Sequence, residues 1–514
     1  MLQHRAFLLH AAYTAIDTGR FADALPPCHA LREADAADPE ATLLLGLAHG
    51  ALGDTDQAAA LLHRVAAARP NHAHPAHDLA ALLCRLDRAA EATAQYHAAL
   101  RLSPDHAPLR RGLVHHLLAT TGAAAAAAAF GPPGSGAADQ HLAGLIAAES
   151  GALRAAIGHF RAAVAADPGP PAGWSNLGIL LKILGHHDEA AAAHDQAVAR
   201  APQDAQLRVN RAVALLHAGR WAEAWHDYEW RLRLPGHTTL PLDRLLPALP
   251  DAGDLAGRTV LLTHEEGYGD TLQFLRYAPL LQALGARVLM SVPPNLARLA
   301  AQIAPVVPAE AAYDFHCPFF SLPRVFATTP DTIPAPIPYL RAAPGAVVAW
   351  RARLAALGPG PRIGLVWAGQ ARPWLPGFAT LNARRSARLA DFAPLAKIPA
   401  VFVSLQAGPE AAQAATPPPG LRLFDPMAEV ADFADTAAIV AALDRVISVD
   451  TAMVHLAGAL GQPSFLLDRL DHCWRWLPGR TDSPWYPGLR IFRQTVLGDW
   501  TEPMQAVAAA LAAG

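Results

Sequence analysis

A spacing of 34 residues recurs through residues 1 to about 232 and limits what this part of the chain can fold into. Pro70 and Pro104 are 34 residues apart, as are Pro168 and Pro202, and a similar ladder of small and large residues precedes each of them. Apolar residues follow helical spacing, and no β-branched run is long enough for a strand. Each period therefore predicts a helical hairpin. Because one hairpin cannot bury its apolar face alone, several must stack into a superhelix with a groove.

The small residues of the ladder identify the type of repeat. One block reads Leu45, Gly46, Ala58, Leu62 and Pro70, and a later block reads Ala143, Gly144, Ala156, Phe160 and Pro168. This pattern closely resembles the tetratricopeptide repeat, in which small residues let two helices approach closely. We count six or seven units, with a degenerate one from Asp105 to Asp139 and a loop at residues 131–136. The resemblance implies that the groove binds a protein or peptide. A scaffold without a partner is the alternative.

Composition and charge exclude several classes of protein. Of the 514 residues, 52% are hydrophobic and 17% are charged, and the net charge is −3, so we expect a folded chain that binds neither nucleic acid nor anionic lipid. No apolar run approaches the roughly 20 residues of a membrane span, and the N-terminus lacks a signal-peptide core. We expect a cytoplasmic protein. The four cysteines are widely separated, which fits a reducing compartment.

The histidines and lysines of the sequence bear on which ligands the chain could bind. His72, His74 and His77 suggest a metal cluster, but they lie around a turn between repeats, and we expect no metal site there. Lysine occurs only at Lys182 and Lys397. A cation that binds phosphate is therefore expected to be an arginine.

The periodicity changes after residue 235. Residues 1–235 form the predicted solenoid, and the proline-rich residues 236–257 form a linker. Strands and helices then alternate, which predicts a first Rossmann-like lobe at residues 258–344 and a second at 345–514. Parallel sheets bind ligands at the carboxyl ends of their strands, so we expect a cleft between the two lobes. The predicted strands are Thr259–Thr263, Arg287–Val292, Ile363–Trp367, Val401–Leu405, Leu421–Phe424, Arg445–Val449 and Ser464–Leu467.

The turn after the first predicted strand is crowded with polar residues. Gly267 and Gly269 allow a ligand close to the backbone, with Tyr268 between them and Gln273 in the helix that follows. Asp270 is predicted to cap that helix, which we expect to run from Thr271 to Leu284. A carboxylate at the carboxyl end of a strand could also serve as a general base. Simple helix capping remains the alternative.

A second constellation follows the predicted strand Arg445–Val449. Asp450 and Thr451 begin a helix, and His455 lies one turn further on the same face. Backbone N–H groups at a helix N-terminus favour phosphate, and Thr451 adds a hydroxyl. The turn predicts an anion site, with ordinary capping as the alternative.

Together with other segments, these turns resemble a known family. The order of the segments is similar to that in bacterial tetratricopeptide glycosyltransferases, which look related to lipopolysaccharide heptosyltransferases and, in architecture, to protein O-linked N-acetylglucosamine transferases. The resemblance covers nearly the whole chain. The segments are Gly267–Tyr277, Trp367–Gly369, Arg385–Ser386, Ser404–Gln406, Asp432–Ala437, Ser448–Leu456 and Asp482–Pro487.

The resemblance implies a fold, an activity and a set of site residues. It implies a GT-B fold of two Rossmann-like lobes, a metal-independent glycosyltransferase without a cofactor, and a nucleotide-sugar substrate whose sugar passes to a hydroxyl of a protein or glycan. The acceptor would bind the first lobe, where Asp270 matches the presumed base. The donor would bind the second lobe. Its phosphates would contact Asp450, Thr451 and His455, its sugar or pyrophosphate would contact Arg385 and Ser386, and its base and ribose would lie near Ser404 and Gln406.

The sequence departs from the family pattern in two places. His264, Glu266 and Tyr268 replace a glycine, a glutamine and a leucine around the first turn, so acceptor specificity could differ. Cys473 stands where the family has the aspartate of an Asp-Trp-Arg-Trp loop, so that aspartate is missing or displaced to Asp471, which puts donor contacts from that loop in doubt. The nearby residues Trp474, Trp476 and Trp485 fit either stacking on a ligand or packing in the core.

Two other functions compete with glycosyl transfer. One is a non-catalytic repeat scaffold with a vestigial lobe that binds sugar nucleotides. The other is a sugar-nucleotide epimerase, which has no evident need for a peptide-binding solenoid.

Overall fold

The structure is a computed structural model of the whole chain. It describes residues 2–68, 80–81, 83–84, 88–249, 253–265, 267–334, 336–370 and 378–513. The three histidines His72, His74 and His77, with Glu266, lie outside the described residues. The chain divides into two compact units, residues 1–173 and 174–514. The division falls within the helical repeats rather than in the proline-rich segment 236–257.

The first unit is helical and follows the predicted repeat. The ladder of small and large residues has a direct packing reason: a Cβ on Gly46 would lie 3.0 Å from Leu62, and one on Gly144 would lie 2.8 Å from Phe160. The predicted degenerate unit contains two helices, and residues 131–136 form the expected loop. The helices α1 to α9 are Leu2–Asp17, Phe21–Ala34, Pro39–Leu52, Thr55–Ala68, Ala89–Leu102, Ala107–Thr120, Ala123–Phe130, Ala137–Glu149 and Leu153–Ala166.

The repeat continues into the second unit. His194 leaves no room for a side chain at Gly178, because its Nε2 would lie 2.6 Å from an added Cβ. Gly185 and Gly219 have φ of +81° and +76°, a left-handed conformation that glycine adopts without steric cost at the end of a helix. The helices α10 to α13 are Pro171–Ile183, His187–Arg200, Ala205–His217 and Trp221–Tyr228, and a 3₁₀ helix follows at Glu229–Arg233.

A parallel three-stranded sheet comes next, in the order β2-β1-β3. Val260 lies opposite both Val288 and Phe315, and the middle of β1 is fully buried, as expected for a parallel strand covered on both faces. The strands are β1 Thr259–Thr263, β2 Arg287–Ser291 and β3 Phe315–Pro318. The helices are α14 Tyr268–Phe274, α15 Ala278–Ala283, α16 Pro294–Ala300 and α17 Leu322–Val325, with 3₁₀ helices at Leu242–Arg244, Leu275–Tyr277 and Phe319–Ser321.

The second sheet has six parallel strands in the order β6-β5-β4-β7-β8-β9. Its core includes Leu365, Phe402 and Ile447. The helices predicted near Asp391–Lys397 and Pro409–Ala414 are 3₁₀ helices, at Leu389–Lys397 and Pro409–Ala415. The strands are β4 Arg362–Val366, β5 Val401–Ser404, β6 Leu423–Phe424, β7 Arg445–Val449, β8 Ser464–Asp468 and β9 Leu489–Arg493. The helices are α18 Pro344–Ala355, α19 Phe378–Arg385, α20 Phe433–Val440, α21 Ala452–Ala459 and α22 Thr501–Ala512, with 3₁₀ helices at Met427–Glu429 and Trp474–Trp476.

The last repeat packs against the segment between β8 and β9. Trp221 of α13 is buried, and its ring lies 5.2 Å from that of Trp474 and 5.9 Å from that of Trp485. His217 approaches the carbonyl oxygen of His472 at 2.9 Å. Leu246, in the predicted linker, is buried, and its backbone N–H donates to the carbonyl of His316 in β3. The last repeat and both sheets therefore share one packed body.

Among the described residues, no helix has both the length and the apolar character that crossing a bilayer requires.

Candidate functional site

The carboxyl ends of β1 and β7 face one cavity of about 990 Å³ in the second unit. Nine predicted site residues line it. They are Gly267, Tyr268, Gly269, Asp270, Arg385, Gln406, Asp450, Thr451 and His455. The structure thus brings together both of the turns that the sequence singled out, although 180 residues separate Asp270 from Asp450 in the chain.

Asp270 stands at the third position of α14 and not at its N-cap, which corrects the predicted start of the helix at Thr271. The N-cap is Gly267, whose backbone N–H donates to Asp270 Oδ2 at 2.8 Å. This is the acid half of a capping box, in which the third residue reaches back to the cap. The Asp270 side chain remains 21% exposed towards the cavity. Its carboxylate can therefore accept a further hydrogen bond from a ligand.

Arg475 holds the other oxygen of that carboxylate. Its Nη2 lies 2.7 Å from Asp270 Oδ1, its Nε donates to Gln273 Oε1 at 2.5 Å, and its Nη1 donates to Cys473 Sγ at 3.1 Å. Arg475 is 7% exposed. Burial acts to lower its pKa, but Cys473 and Asp270 outweigh burial and raise it. The guanidinium is a fixed positive charge that orients Asp270.

Gly269 allows the two turns to meet. A Cβ at this position would lie 2.7 Å from His455 Cδ2 and 3.2 Å from the Cα of Ala452, closer than real side chains pack. Helix α14 can therefore approach the start of α21 only because residue 269 is a glycine. The neighbouring Tyr268 stacks on His264 at 5.9 Å and meets the edge of Phe433 at 5.4 Å. Its ring forms part of the cavity wall.

Thr451 is the N-cap of α21, which is the capping alternative that the sequence left open beside the anion site. Its Oγ1 accepts from the N–H of Met453 at 3.3 Å and lies 3.1 Å from Ser448 Oγ. The cap is a neutral hydroxyl, so the cap itself does not neutralise the positive end of the helix dipole, and the charged side chain of this turn is Asp450, which precedes the cap. The beginning of α21 therefore remains favourable for an anion in the cavity.

His455 is buried in the floor of the cavity. Its Nδ1 lies 2.9 Å from the hydroxyl of Tyr486, and its ring stacks on Trp476 at 5.5 Å. Burial and the positive charges of Arg475 and Arg276 hold the pKa of His455 well below its usual value. The imidazole is neutral at physiological pH. It can exchange a hydrogen bond with a ligand, but it brings no charge to bind a phosphate.

Three predicted site residues do not line this cavity, namely Gln273, Ser404 and Ser386. The side chain of Gln273 is fully buried and accepts from Arg475. Ser404 is also fully buried. Ser386 accepts from the N–H of Gly369 at 3.1 Å and lines a separate cavity of about 640 Å³. Polar residues at strand ends serve packing here as often as they face a ligand.

Gln406 and Arg385 line the cavity, but much of their hydrogen bonding goes to the protein. Gln406 Oε1 accepts from the N–H groups of Trp367 and Ala368 at 3.0 and 2.9 Å, and its Nε2 donates to two carbonyl oxygens. Arg385 donates to Asn382 at 3.0 Å. Gln406 therefore fixes the loop after β4 and is not free to read a nucleobase.

Sequence reasoning left the roles of the tryptophans open, and the structure places them in the core. Trp474, Trp476 and Trp485 are 4%, 0% and 0% exposed. Trp476 packs on His455, and Trp474 lies edge-on to Trp485 at 6.2 Å. They support the floor of the cavity from behind and do not offer a face to a base or sugar.

Two arginines of the cavity were missed as site residues. Arg475 lies in the Cys-Trp-Arg-Trp segment, which was interpreted from the aspartate that it lacks and not from its arginine. Arg469 directly follows β8 and also lines the cavity. The rule that ligands bind at the carboxyl ends of parallel strands could have identified Arg469.

Comparison with known proteins defines the repeats and the family. The profile of the tetratricopeptide repeat matches residues 9–73 and 176–229, so the chain contains tetratricopeptide repeats in both compact units. Protein FlbA of Caulobacter vibrioides is similar to this chain at 30% identity over 481 residues, which cover 86% of this chain and 73% of that protein. The chain belongs to the FlbA family.

Solved structures of tetratricopeptide repeat proteins are similar to less than half of this FlbA-family chain. A tetratricopeptide repeat protein from Parabacteroides merdae is 16% identical, covers 45% of this chain and 94% of its own, and has a TM-score of 0.38. The tetratricopeptide protein TTC0263 of Thermus thermophilus is 24% identical, covers 41% of this chain and 99% of its own, and has a TM-score of 0.26.

Proposed function

We propose that this FlbA-family chain is a glycosyltransferase with a GT-B arrangement of two Rossmann-like lobes, which moves a sugar from a nucleotide-sugar to a hydroxyl acceptor. The observation that carries the proposal is the shared cavity. It has a carboxylate at the turn after β1 and, at the turn after β7, the positive end of α21 with a neutral hydroxyl cap, and Gly269 lets the two turns touch. These are the groups that a metal-independent transfer needs.

The reaction follows from the positions of these groups. The acceptor hydroxyl gives its proton to Asp270 as its oxygen forms a bond to the anomeric carbon of the donor sugar. The bond between that carbon and the phosphate oxygen breaks, and the nucleoside diphosphate leaves with the electron pair. The N–H groups at the start of α21 and the arginines of the cavity stabilise the departing charge.

Arg475 has a positioning role in this scheme. Its bond to Asp270 Oδ1 and the Gly267 N–H on Oδ2 fix the plane of the carboxylate. Each carboxylate oxygen has a second lone pair, so both bonds can persist while the acceptor hydroxyl binds. The fixed geometry lowers the reorganisation needed to reach the transition state.

Transfer is tested by incubating the purified full-length protein with a panel of nucleotide-sugars and measuring the nucleoside diphosphate released. We expect slow release from one donor even without the natural acceptor, because water can replace the acceptor hydroxyl. A non-catalytic scaffold would bind a nucleotide-sugar without releasing diphosphate, and an epimerase would convert the sugar while it stays attached to the nucleotide. Either outcome would reject the proposed activity.

The repeats are proposed to recruit a protein or glycan acceptor. The first unit ends at Gly173, and helix α10 begins at Pro171. We expect that a chain lacking residues 1–170 still releases diphosphate from the donor but no longer modifies the natural acceptor. Circular dichroism and a thermal melt serve as the folding control. Equal modification of that acceptor by the shortened chain would show that the first unit does not recruit it.

A further inference from the structure

Arg469 is a buried cation whose hydrogen-bonding capacity is unfilled. It follows β8 directly, is 9% exposed and lines the cavity. Within the part of the chain that the structure describes, its Nε and Nη1 have no hydrogen-bond partner. It forms an ion pair with Asp471, whose Oδ1 lies 3.5 Å from Nε, which is too long for a hydrogen bond.

The acids around Arg469 are already engaged by other cations. Asp468, its neighbour in the chain, accepts from Arg493 Nε at 2.8 Å. Asp471 is shared with Arg384, whose Nη1 lies 3.4 Å from Oδ2. Positive charge therefore exceeds negative charge in this buried region.

The neighbouring lysine indicates the same excess. Burial and the charge of Arg469 lower the pKa of Lys182 below its usual value. A buried guanidinium with unfilled hydrogen-bond donors is costly because its lost hydration is not replaced. An anion in the cavity would remove that cost.

The other groups in the cavity cannot bind an anion as readily. Arg475 already donates to Asp270, Gln273 and Cys473. His455 is neutral, and Asp450 brings negative charge to the cavity wall. Arg469 is therefore a cavity arginine that has two unfilled donors within the described residues and shares its carboxylate partner with another cation.

We infer that Arg469 binds a phosphoryl group, and that in the proposed reaction this group belongs to the diphosphate of the donor. The assignment to a nucleotide rests on the proposed function, whereas the phosphate chemistry rests on the arginine alone. Arginine suits this ligand because its planar fork donates two parallel hydrogen bonds to phosphate oxygens.

Calorimetric titration of the full-length protein with inorganic pyrophosphate tests the inference without any assumption about base or sugar. We expect that wild-type protein binds pyrophosphate and that Arg469→Gln weakens binding by about tenfold or more. Arg469→Lys should retain part of the affinity, because it keeps the charge and loses the paired donors. Arg388→Gln is the matched control, since Arg388 is 79% exposed and pairs only locally with Asp391.

Thermal unfolding without ligand separates a binding role from a structural one. If Arg469 is an unsatisfied charge that awaits a ligand, Arg469→Gln should unfold at the same temperature as the wild type or higher. If the arginine holds the fold together, the variant should unfold at a lower temperature, and the inference would be overturned. Equal pyrophosphate affinity in wild type and Arg469→Gln, or no binding by the wild type, would also overturn it.

A second titration distinguishes this inference from the proposed function. Uridine and guanosine are compared with their diphosphates, and the gain in affinity from the diphosphate should disappear in Arg469→Gln. Loss of that gain in a protein that releases no diphosphate from any donor would support the phosphate site and reject glycosyl transfer. If Arg469→Gln transfers the sugar as fast as the wild type, glycosyl transfer would be supported and the phosphate site at Arg469 would be rejected.

Discussion

The two turns that meet in the cavity begin their helices in opposite ways. In the turn after β1, the carboxylate of Asp270 accepts from the N–H of Gly267, so negative charge already occupies the start of α14. In the turn after β7, the cap is the hydroxyl of Thr451, which accepts from Met453. The start of α21 therefore carries no side-chain charge from its cap.

Both turns join a strand to a helix, yet they favour different groups in the cavity. A helix start that holds its own carboxylate repels a second anion and favours a group with a proton to give, such as an alcohol. A helix start capped by a neutral hydroxyl remains attractive to a phosphate. Under the proposed function, the residue that caps each helix would favour a different substrate on each side of the cavity.

The largest expected effect comes from removing the charge of the first turn. Asp270→Asn should lower the rate of diphosphate release by about 10² or more, the usual scale for losing a general base, while donor affinity stays nearly unchanged. The rate and the donor affinity are measured on the same purified protein.

Asp391→Asn provides a matched control. Asp391 Oδ2 accepts from the N–H of Arg388 at 2.8 Å, the same capping geometry as Asp270, but it lies outside the cavity between the turns. Asp391→Asn should lower the unfolding free energy by about as much as Asp270→Asn, because both lose a capping hydrogen bond. It should not lower the rate of diphosphate release. If both variants lose the same activity, Asp270 acts only as a cap.

The contact between the turns is tested by Gly269→Ala. The added methyl would lie 2.7 Å from His455 Cδ2, and crowding of this kind costs about 1–3 kcal/mol of unfolding free energy. The rate should fall because the two turns are forced apart. Chemical denaturation measures the first effect and diphosphate release the second.

Gly158→Ala is the control for this change. Gly158 lies inside α9 with no atom within 4 Å of an added Cβ, and alanine there should stabilise the helix by about 0.5–1 kcal/mol. A Gly269→Ala protein with wild-type stability and rate would show that the turns do not need to touch.

The neutral cap is tested by Thr451→Val. Losing the cap should lower the unfolding free energy by about 1 kcal/mol, and affinity for a nucleoside diphosphate should fall by more than that amount. Thr451→Ser keeps the hydroxyl and should preserve both quantities. If calorimetry finds unchanged affinity in the valine variant, the phosphates bind elsewhere.

The smallest expected effect is on the pH dependence of stability. Because the pKa of His455 is depressed in the folded protein, only the unfolded chain takes up this proton as pH falls below about 6.5, so the contribution of His455 to stability decreases with falling pH. Urea unfolding at pH 7.5 and 5.5 should show a smaller loss for His455→Asn than for the wild type, by about 1 kcal/mol.

The comparison with the wild type removes contributions from other groups. Burial raises the pKa of Asp468 to about 7, so this carboxyl takes up its proton in the folded state first and favours folding as pH falls. Asp468 is present in both proteins, and its effect cancels. An equal loss of stability in His455→Asn and in the wild type would contradict the assignment to His455.

The sequence predicted well those features that local patterns determine. The strands Thr259–Thr263 and Arg445–Val449 have their predicted bounds, because a short buried apolar run between polar residues has few alternatives. The start of α14 was misplaced, since an aspartate near a helix start is typical of both the N-cap and the third position of a capping box.

Features that depend on distant residues could not be predicted in this way. The bond between Arg475 and Asp270 joins residues 205 positions apart, and no local pattern indicates it. Gln273 and Gln406 looked like ligand-binding residues, yet their amides hydrogen-bond within the protein. Which polar side chains are used internally is known only once the fold has placed their partners.

The packing of Trp221 against Trp474 and Trp485 has a consequence for how such a chain can be lengthened or recombined. The final hairpin is built into the body that holds the cavity, so its removal would expose a large aromatic surface. The three tryptophans all lie in the unit of residues 174–514, so duplication or loss of a hairpin before Pro171 would leave their contacts with one another unchanged. Under the proposed function, a change of acceptor is therefore best attempted by exchanging the upstream hairpins while the final ones stay joined to the two sheets.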